Sequence, residues 1–483
     1  MSSQVRVRFA PSPTGYLHVG GLRTALYNYL FAKRNGGKLV LRIEDTDQAR
    51  RVEGAVENLI ATLDWAGVHY DEGPDRDGEF GPFVQSQRLE LYHRHAKELV
   101  EKGKAYHCFC TPERLEEVRQ RQSAAKERAS YDRHCRALDI DEVEARLKRG
   151  ERNVIRMKVP LDGELTFNDI IRGNVSIAYE VLDDQVLLKS DGFPTYHLAV
   201  VVDDHLMQIS HVIRGEEWLP STPKHILLYR FFGWELPQFA HLPLLLNPDK
   251  SKLSKRQGDV AVEDYRAKGY LKEAIINFIA FLGWNPGDER EIFLMEDLIQ
   301  EFSLERVGKS GAVFNVEKLD WLNFQHLRKK SDDEVLGMVK EYLASTDIGA
   351  GARTDDYLRS VIAAMRERAS FVRDFVDKCA YFYKAPTDYD PDVVKKRWKP
   401  ESASQLRFFS SQLADRPVSS KDDYEAILHK AAEELKIKVS ELIHPLRLAV
   451  SGVGAGPGLY DILAILGKEE ILQRIEAAVQ KLR

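Results

Sequence analysis

Phe9-Ala10-Pro11-Ser12-Pro13-Thr14-Gly15-Tyr16-Leu17-His18-Val19-Gly20-Gly21 is the stretch on which the fold of this 483-residue chain turns. An apolar-alternating strand over residues 5–9 runs into it, and a helical pattern of Leu22, Ala25, Leu26, Tyr29 and Leu30 runs out of it. A strand, a Gly/Pro turn and a helix start bring backbone N–H groups and the positive end of a helix dipole to one point, which favours an anion. Gly20 and Gly21 carry no Cβ, so a base or ribose can approach the backbone closely, and His18 adds a donor. A second segment, Lys252-Leu253-Ser254-Lys255-Arg256, sets cations around a serine between Asn247-Pro248-Asp249 and Gly258. Such a cationic loop suits charge that develops on a triphosphate.

Outward from the first segment, strand and helix alternate. A helix is predicted over residues 22–33, a strand over 38–43 and a helix over 53–65. Alternation of this kind predicts a parallel sheet covered by helices, with ligands at the carboxyl ends of the strands. Arg42-Ile43-Glu44-Asp45-Thr46-Asp47 sits at one such end. Between about 87 and 190 the pattern changes to a helix over 89–102, a charged stretch and mixed strands such as 154–159, the mark of an insertion. Alternation resumes with a strand over 186–189, a helix over 195–205, a strand over 209–213 and a helix over 222–232. A strand over 242–246 then delivers the lysine segment. Beyond about 260 the β signal fades, and amphipathic helices are predicted over 272–282, 333–344, 356–374, 424–435 and 467–481. Gly452-Val453-Gly454-Ala455-Gly456-Pro457-Gly458 lacks a preceding strand and is read as a turn before a helix starting near Leu459.

Composition narrows the classes. With 43% hydrophobic and 30% charged residues, the chain reads as a soluble globular protein of roughly two to four domains. No apolar run reaches the ~18 residues that span a bilayer, and the first residues carry no signal pattern, so no membrane and a cytoplasmic location are expected. Four cysteines do not make a disulfide framework in a chain this long. A net charge of −5 argues against indiscriminate nucleic-acid binding. It leaves room for a local basic strip, and Arg114, Arg119, Arg121, Lys126, Arg128, Arg133 and Arg136 supply one. In the same inserted region, Cys108, Cys110 and Cys135, with Tyr131 and His134 close by, form a metal-ligand pattern of the kind zinc prefers; Cys379 lies far off.

Together the first segment, Arg42–Asp47, Ser190-Asp191-Gly192-Phe193-Pro194-Thr195-Tyr196-His197, Val201-Val202-Asp203-Asp204-His205, Val212-Ile213-Arg214-Gly215-Glu216-Glu217-Trp218 and the lysine segment resemble the class I aminoacyl-tRNA synthetases, and within them the bacterial glutamyl-tRNA synthetases, over the whole length. The resemblance implies an α/β fold. Its Rossmann-like catalytic domain would be split into residues 1–88 and 191–250 by an inserted α+β acceptor-binding domain at 89–190. A lysine-loop and stem-contact domain at 251–330 and an all-helical anticodon-binding region at 331–483 would follow.

It also implies residue roles. His18, Gly20 and Gly21 hold the ribose and phosphates of ATP. Lys252, Ser254 and Lys255 clamp the polyphosphate, with Lys255 the foremost catalytic group beside Lys252 and His18. Glu217 and Trp218 line the adenosine side. A glutamate substrate carries two carboxylates and one ammonium: Arg8 and Arg214 suit the carboxylates, Glu44 the ammonium, and Tyr196, Ser12 and the backbone at Ala10 complete the pocket. ATP with Mg2+, L-glutamate and tRNA(Glu) are the implied partners, a monomer the implied state. Some relatives bind zinc through a Cys-x-Cys pair and a later third cysteine. Here Ala137 stands where some carry a histidine, so the set is Cys108, Cys110, Cys135 and either Tyr131 or His134. Arg366 and Arg368 lie where some relatives place an anticodon-contacting arginine, and the resemblance implies that role for Arg368. Rival readings are a glutamyl-queuosine tRNA-modifying enzyme, which lacks the helical half, a glutaminyl-tRNA synthetase, which typically ends in β-barrels, and a small-molecule adenylyltransferase.

Overall fold

A computed structural model describes residues 4–253, 261–349 and 353–482, in two units: residues up to Lys268 with Ile275–Val316, and Gly269–Ala274 with Glu317 onward. In the first unit, strand Arg6–Phe9 pairs in parallel with strand Lys38–Leu41, and the helix Val19–Arg34 makes the crossover. Both faces of the first strand are buried: Val7 and Phe9 on one side, Arg6 and Arg8 on the other. An arginine at such a position needs a carboxylate partner. Arg6 finds Glu72 at 2.9 Å, and Arg8 finds Asp204 at 3.1 Å.

A second parallel pair joins strand His211–Gly215 to strand Gln238–Leu242 through the helix Thr222–Phe232. The two pairs are tied where the N–H of Ser210 donates to the carbonyl of Arg6 and the N–H of Arg6 to the Ser210 hydroxyl. The strand predicted over 242–246 is displaced. Its ladder ends at Leu242 because Pro243 has no N–H to donate, and Leu245–Leu246 forms a separate short pair with Ala312–Val313.

The inserted segment contributes an antiparallel sheet of Ala105–Cys108, Val154–Met157 and Val186–Leu188. It also carries a hairpin, Glu164–Asp169 with Gly173–Ala178, whose Asp169 pairs in parallel with Phe239 and so extends the sheet of His211–Gly215 and Gln238–Leu242. Helix Tyr196–Leu206 is apolar on every side through Leu198–Val202 and is accordingly buried, packed on helices Leu89–Glu101 and Thr222–Phe232.

The second unit is helical, as its amphipathic periodicity predicts. Its starts are capped locally: Ser331 and Glu334 form a capping box before helix Asp332–Ala344, and Ser420 with Asp423 does the same before Lys421–Glu434. The helix predicted over 356–374 is shorter, Asp355–Met365. The buried Asp374 carboxylate accepts the N–H groups of Ser370 and Phe371, which opens a new turn at Asp374–Asp377. The glycine run 452–458 is a turn: Gly452 ends one helix with φ 76°, and Gly458 precedes helix Leu459–Leu466.

Candidate active site

The carboxyl ends of Arg6–Phe9 and His211–Gly215 and the N-terminus of helix Val19–Arg34 open on one cavity of about 880 Å³. Arg8, Ala10, Ser12, His18, Gly20, Gly21, Glu44, Tyr196, Arg214, Glu217, Trp218 and Lys252 all line it. Ser254 and Lys255 lie outside the described residues.

His18 caps the helix that starts the site: its backbone is extended and its Nδ1 accepts the N–H of Gly21 at 3.0 Å. A neutral imidazole held this way carries its proton on Nε2, so the ring presents a donor. The glycines have a packing reason beyond ligand access. A Cβ on Gly20 would come 3.1 Å from the His18 ring, and one on Gly21 would come 2.7 Å from Leu17.

Beneath the cavity lies a buried charge network. Oδ1 of Asp204 accepts from both Arg8 Nε at 3.1 Å and Arg42 Nη1 at 2.7 Å, while Arg42 Nη2 donates to Glu44 at 2.9 Å. Asp203 takes Arg88 Nε and the Tyr92 hydroxyl, each at 2.8 Å. Burial pushes the Asp204 carboxyl up, but Arg8 and Arg42 outweigh it and leave the group below its ordinary range. For Glu44 burial wins over Arg42 and Arg8, and its carboxyl is raised.

Arg214 is held at each of its three nitrogens. Nε donates to His241 Nε2 at 3.0 Å; Nη1 reaches the Tyr196 oxygen at 3.0 Å and His225 Nδ1 at 3.3 Å; Nη2 reaches Thr222 Oγ1 at 2.9 Å and the Trp218 carbonyl at 3.4 Å. Because the Tyr196 oxygen accepts from Arg214, its own O–H is left to donate. Tyr196 also packs on Trp218, ring centres 4.3 Å apart. His225 Nε2 meets His197 Nδ1 at 3.0 Å. Burial, then the charges of Lys224 and Arg214, push His197 down to about 3, and burial with Arg214 drives His225 well below the usual histidine range. Both are neutral at physiological pH, and Arg214 and Arg8 are charges that keep His225 so.

The family model described as tRNA synthetases class I (E and Q), catalytic domain, matches residues 4–321, which contain every residue of this cavity. The chain belongs to the class I tRNA synthetases. A second model, an anticodon binding domain, matches residues 334–479 of the synthetase. Curated relatives include the glutamate–tRNA ligase of Chloroherpeton thalassium, 54% identical over 100% of this chain and 99% of the relative. That of Chlorobaculum parvum is 52% identical over 99% and 98%. A solved glutamate tRNA ligase from Elizabethkingia meningosepticum, in complex with its amino acid, superposes with a TM-score of 0.95 at 41% identity and covers 100% of both chains. One from Elizabethkingia anophelis superposes at 0.91 with 40% identity, over 99% of this chain and 100% of the other.

In the inserted segment of the synthetase, the sulfurs of Cys108, Cys110 and Cys135 lie within 4.8 Å of one another. The Tyr131 hydroxyl is 3.3 Å from Cys108 Sγ and 3.5 Å from Cys110 Sγ, whereas the His134 side chain is exposed. Hydrogen bonds from Cys135 and Tyr131 hold the Cys108 thiol well below the ordinary range. Three thiols and a phenol at this spacing fit a tetrahedral zinc. The basic strip is less available than its sequence predicts: Arg114 pairs with Asp132 at 2.7 Å, and Arg133 and Arg136 with the buried Asp184 at 3.6 and 2.9 Å. In the helical unit, Arg368 is exposed at the end of helix Asp355–Met365, while Arg366 is held by the Lys330 carbonyl and by Asp332.

Sequence reasoning assigned no role to Arg42 or Asp204, although both lie inside its quoted motifs. It passed over Asp169, Thr222, His225 and His241 altogether. The charge of Arg42 and Asp204 within otherwise apolar runs was a usable signal. Nothing local marks His241.

Proposed function

We propose that this synthetase joins L-glutamate to tRNA(Glu) at the expense of ATP. An oxygen of the glutamate α-carboxylate attacks the α-phosphorus of ATP and expels pyrophosphate. The 2′-hydroxyl of the terminal adenosine then attacks the acyl carbon and releases AMP. The observation that carries this reading is one cavity that brings the buried guanidiniums of Arg8 and Arg214 and the buried carboxylate of Glu44 beside the His18-capped helix N-terminus. That is the charge complement of glutamate next to a phosphate cradle.

Arg8 and Arg214 take the carboxylates, Tyr196 adds its hydroxyl, Glu44 accepts from the ammonium, and Ser12 with the backbone of Ala10 closes the pocket. His18, Gly20 and Gly21 hold the ribose and phosphates, Glu217 and Trp218 flank the adenosine, and Lys252 with Ser254 and Lys255 neutralises the polyphosphate. Positioning and electrostatics suffice for such chemistry, and no covalent enzyme intermediate is invoked. Mg2+ enters with ATP. A zinc held by Cys108, Cys110, Tyr131 and Cys135 would brace the inserted domain at 89–190, which we assign to the acceptor end, with residues 331–483 assigned to the anticodon. The active unit is taken as a cytoplasmic monomer.

The test is pyrophosphate exchange with each amino acid, with and without purified tRNA(Glu). Exchange that needs both glutamate and tRNA supports the assignment; exchange without RNA, or with another amino acid, sinks it. The rival queuosine-modifying reading predicts charging of a tRNA base rather than of the 3′ end, and the anticodon-domain match at 334–479 weighs against it.

A further inference from the structure

Asp169 and His241 stand behind Arg214, and neither lines the cavity. Asp169 closes the inserted hairpin strand Glu164–Asp169, and His241 lies on strand Gln238–Leu242; they are 1% and 0% exposed. Oδ2 of Asp169 lies 2.6 Å from Nδ1 of His241, and Nε2 of the same ring lies 3.0 Å from Nε of Arg214. The direction of every bond is forced. A guanidinium only donates, so His241 Nε2 must accept; its proton then sits on Nδ1 and is donated to Asp169. The other oxygen, Oδ1, accepts the N–H groups of Ile171 at 3.0 Å, Arg172 at 2.8 Å and His241 itself at 3.3 Å, which locks the carboxylate in place. Burial keeps the imidazole neutral, its pKa lowered despite Asp169.

We propose that Asp169 and His241 are positioning residues that aim the Arg214 guanidinium at the substrate carboxylate, Asp169 by fixing the His241 tautomer and His241 by receiving Arg214 Nε. This rests on the assignment of Arg214 as a glutamate ligand made above. The chain of bonds also makes glutamate recognition depend on a residue of the inserted hairpin. Arg8 is held instead by Asp204 and the Ile213 carbonyl.

Asp169→Asn exposes the relay with almost no change of shape. The amide oxygen keeps the three backbone N–H groups, so the amide nitrogen faces Nδ1, donor against donor. The ring must then move its proton to Nε2, where it confronts the Nε–H of Arg214. His241→Phe removes the bonds to Asp169 and Arg214 and the 3.1 Å contact of Nε2 with Thr222 Oγ1, and keeps a planar ring.

Charging kinetics of the full-length protein, with glutamate and ATP varied separately, test this. In Asp169→Asn and in His241→Phe the KM for glutamate rises about 10-fold or more, and the KM for ATP changes less than about 2-fold, the scale of one lost charge-assisted hydrogen bond. Should Asp169→Asn fail to fold, His241→Phe carries the same comparison. A folded variant with an unchanged glutamate KM overturns the proposal. So does a parallel rise in both KM values, or a fall in kcat alone, because either marks a general structural role. A wild-type enzyme that is not saturated by glutamate at all would instead sink the glutamate assignment, and this inference with it.

Discussion

Asp204 places its Oδ1 oxygen 2.7 Å from Nη1 of Arg42, with both side chains buried. The same oxygen serves Arg8, so a single carboxylate organises two guanidiniums under the cavity. Asp204→Asn leaves those charges facing a neutral amide, and breaking a buried pair costs about 3–5 kcal/mol. A clear fall in thermal midpoint together with a raised glutamate KM is expected, read by calorimetry and charging kinetics. A variant as stable as the wild type would show that the network is not structural.

His18 does two jobs that separate by mutation. As an N-cap it holds Gly21 N, and as a ring it presents a donor to the cavity. Asparagine is a good N-cap, so His18→Asn should keep the melting temperature while pyrophosphate exchange falls about 10²–10³-fold, the effect of one lost transition-state donor. His18→Ala should lose the same activity and about 1 kcal/mol of stability as well.

Lys252 is exposed and reaches the cavity from the segment after Leu245–Leu246. Lys252→Ala should lower kcat for adenylate formation about 10²-fold with little change in stability, because an exposed lysine supplies charge to the triphosphate rather than packing. Unchanged single-turnover rates would remove it from the polyphosphate clamp.

Acid should destabilise the catalytic unit through its buried histidines. His197 and His225 have folded pKa values below the unfolded value of ~6.5, so the unfolded chain takes up their protons first. Their contribution is complete above about pH 6.5 and is lost as pH falls toward the His197 value of about 3. Thermal midpoints measured across that window should fall less steeply in His197→Phe than in the wild type.

Metal analysis tests the cysteine cluster. The purified protein should carry about one zinc, and Cys135→Ser should release it and lower the thermal midpoint, since metal binding is linked to folding. Tyr131→Phe should weaken zinc retention and His134→Ala should not, because only the Tyr131 hydroxyl lies among the thiols. The opposite pattern would exchange their roles.

The glycine-histidine segment, the strand–helix alternation and the helical C-terminal half were legible because each is a local pattern. Gly20 and Gly21 announce a tight turn, and Leu22, Ala25, Leu26 and Tyr29 announce one helix face. The strand expected over 242–246 differs for a local reason, since Pro243 has no N–H and ends the ladder that the apolar run would have continued. The basic strip misled because a count of charges does not reveal that Asp184, about 50 residues further on, is buried against two of those arginines.

What the sequence determined by itself was the chemistry on offer: a capped helix N-terminus, two arginines, one glutamate, a lysine segment and three cysteines. Only the tertiary structure decided how those groups are held. Arg8 meets Asp204 across 196 positions of chain, and Arg214 meets His241 across 27. The reason is physical: a side chain's charge is written in its own identity, but its partner is set by which strands and helices the fold brings side by side.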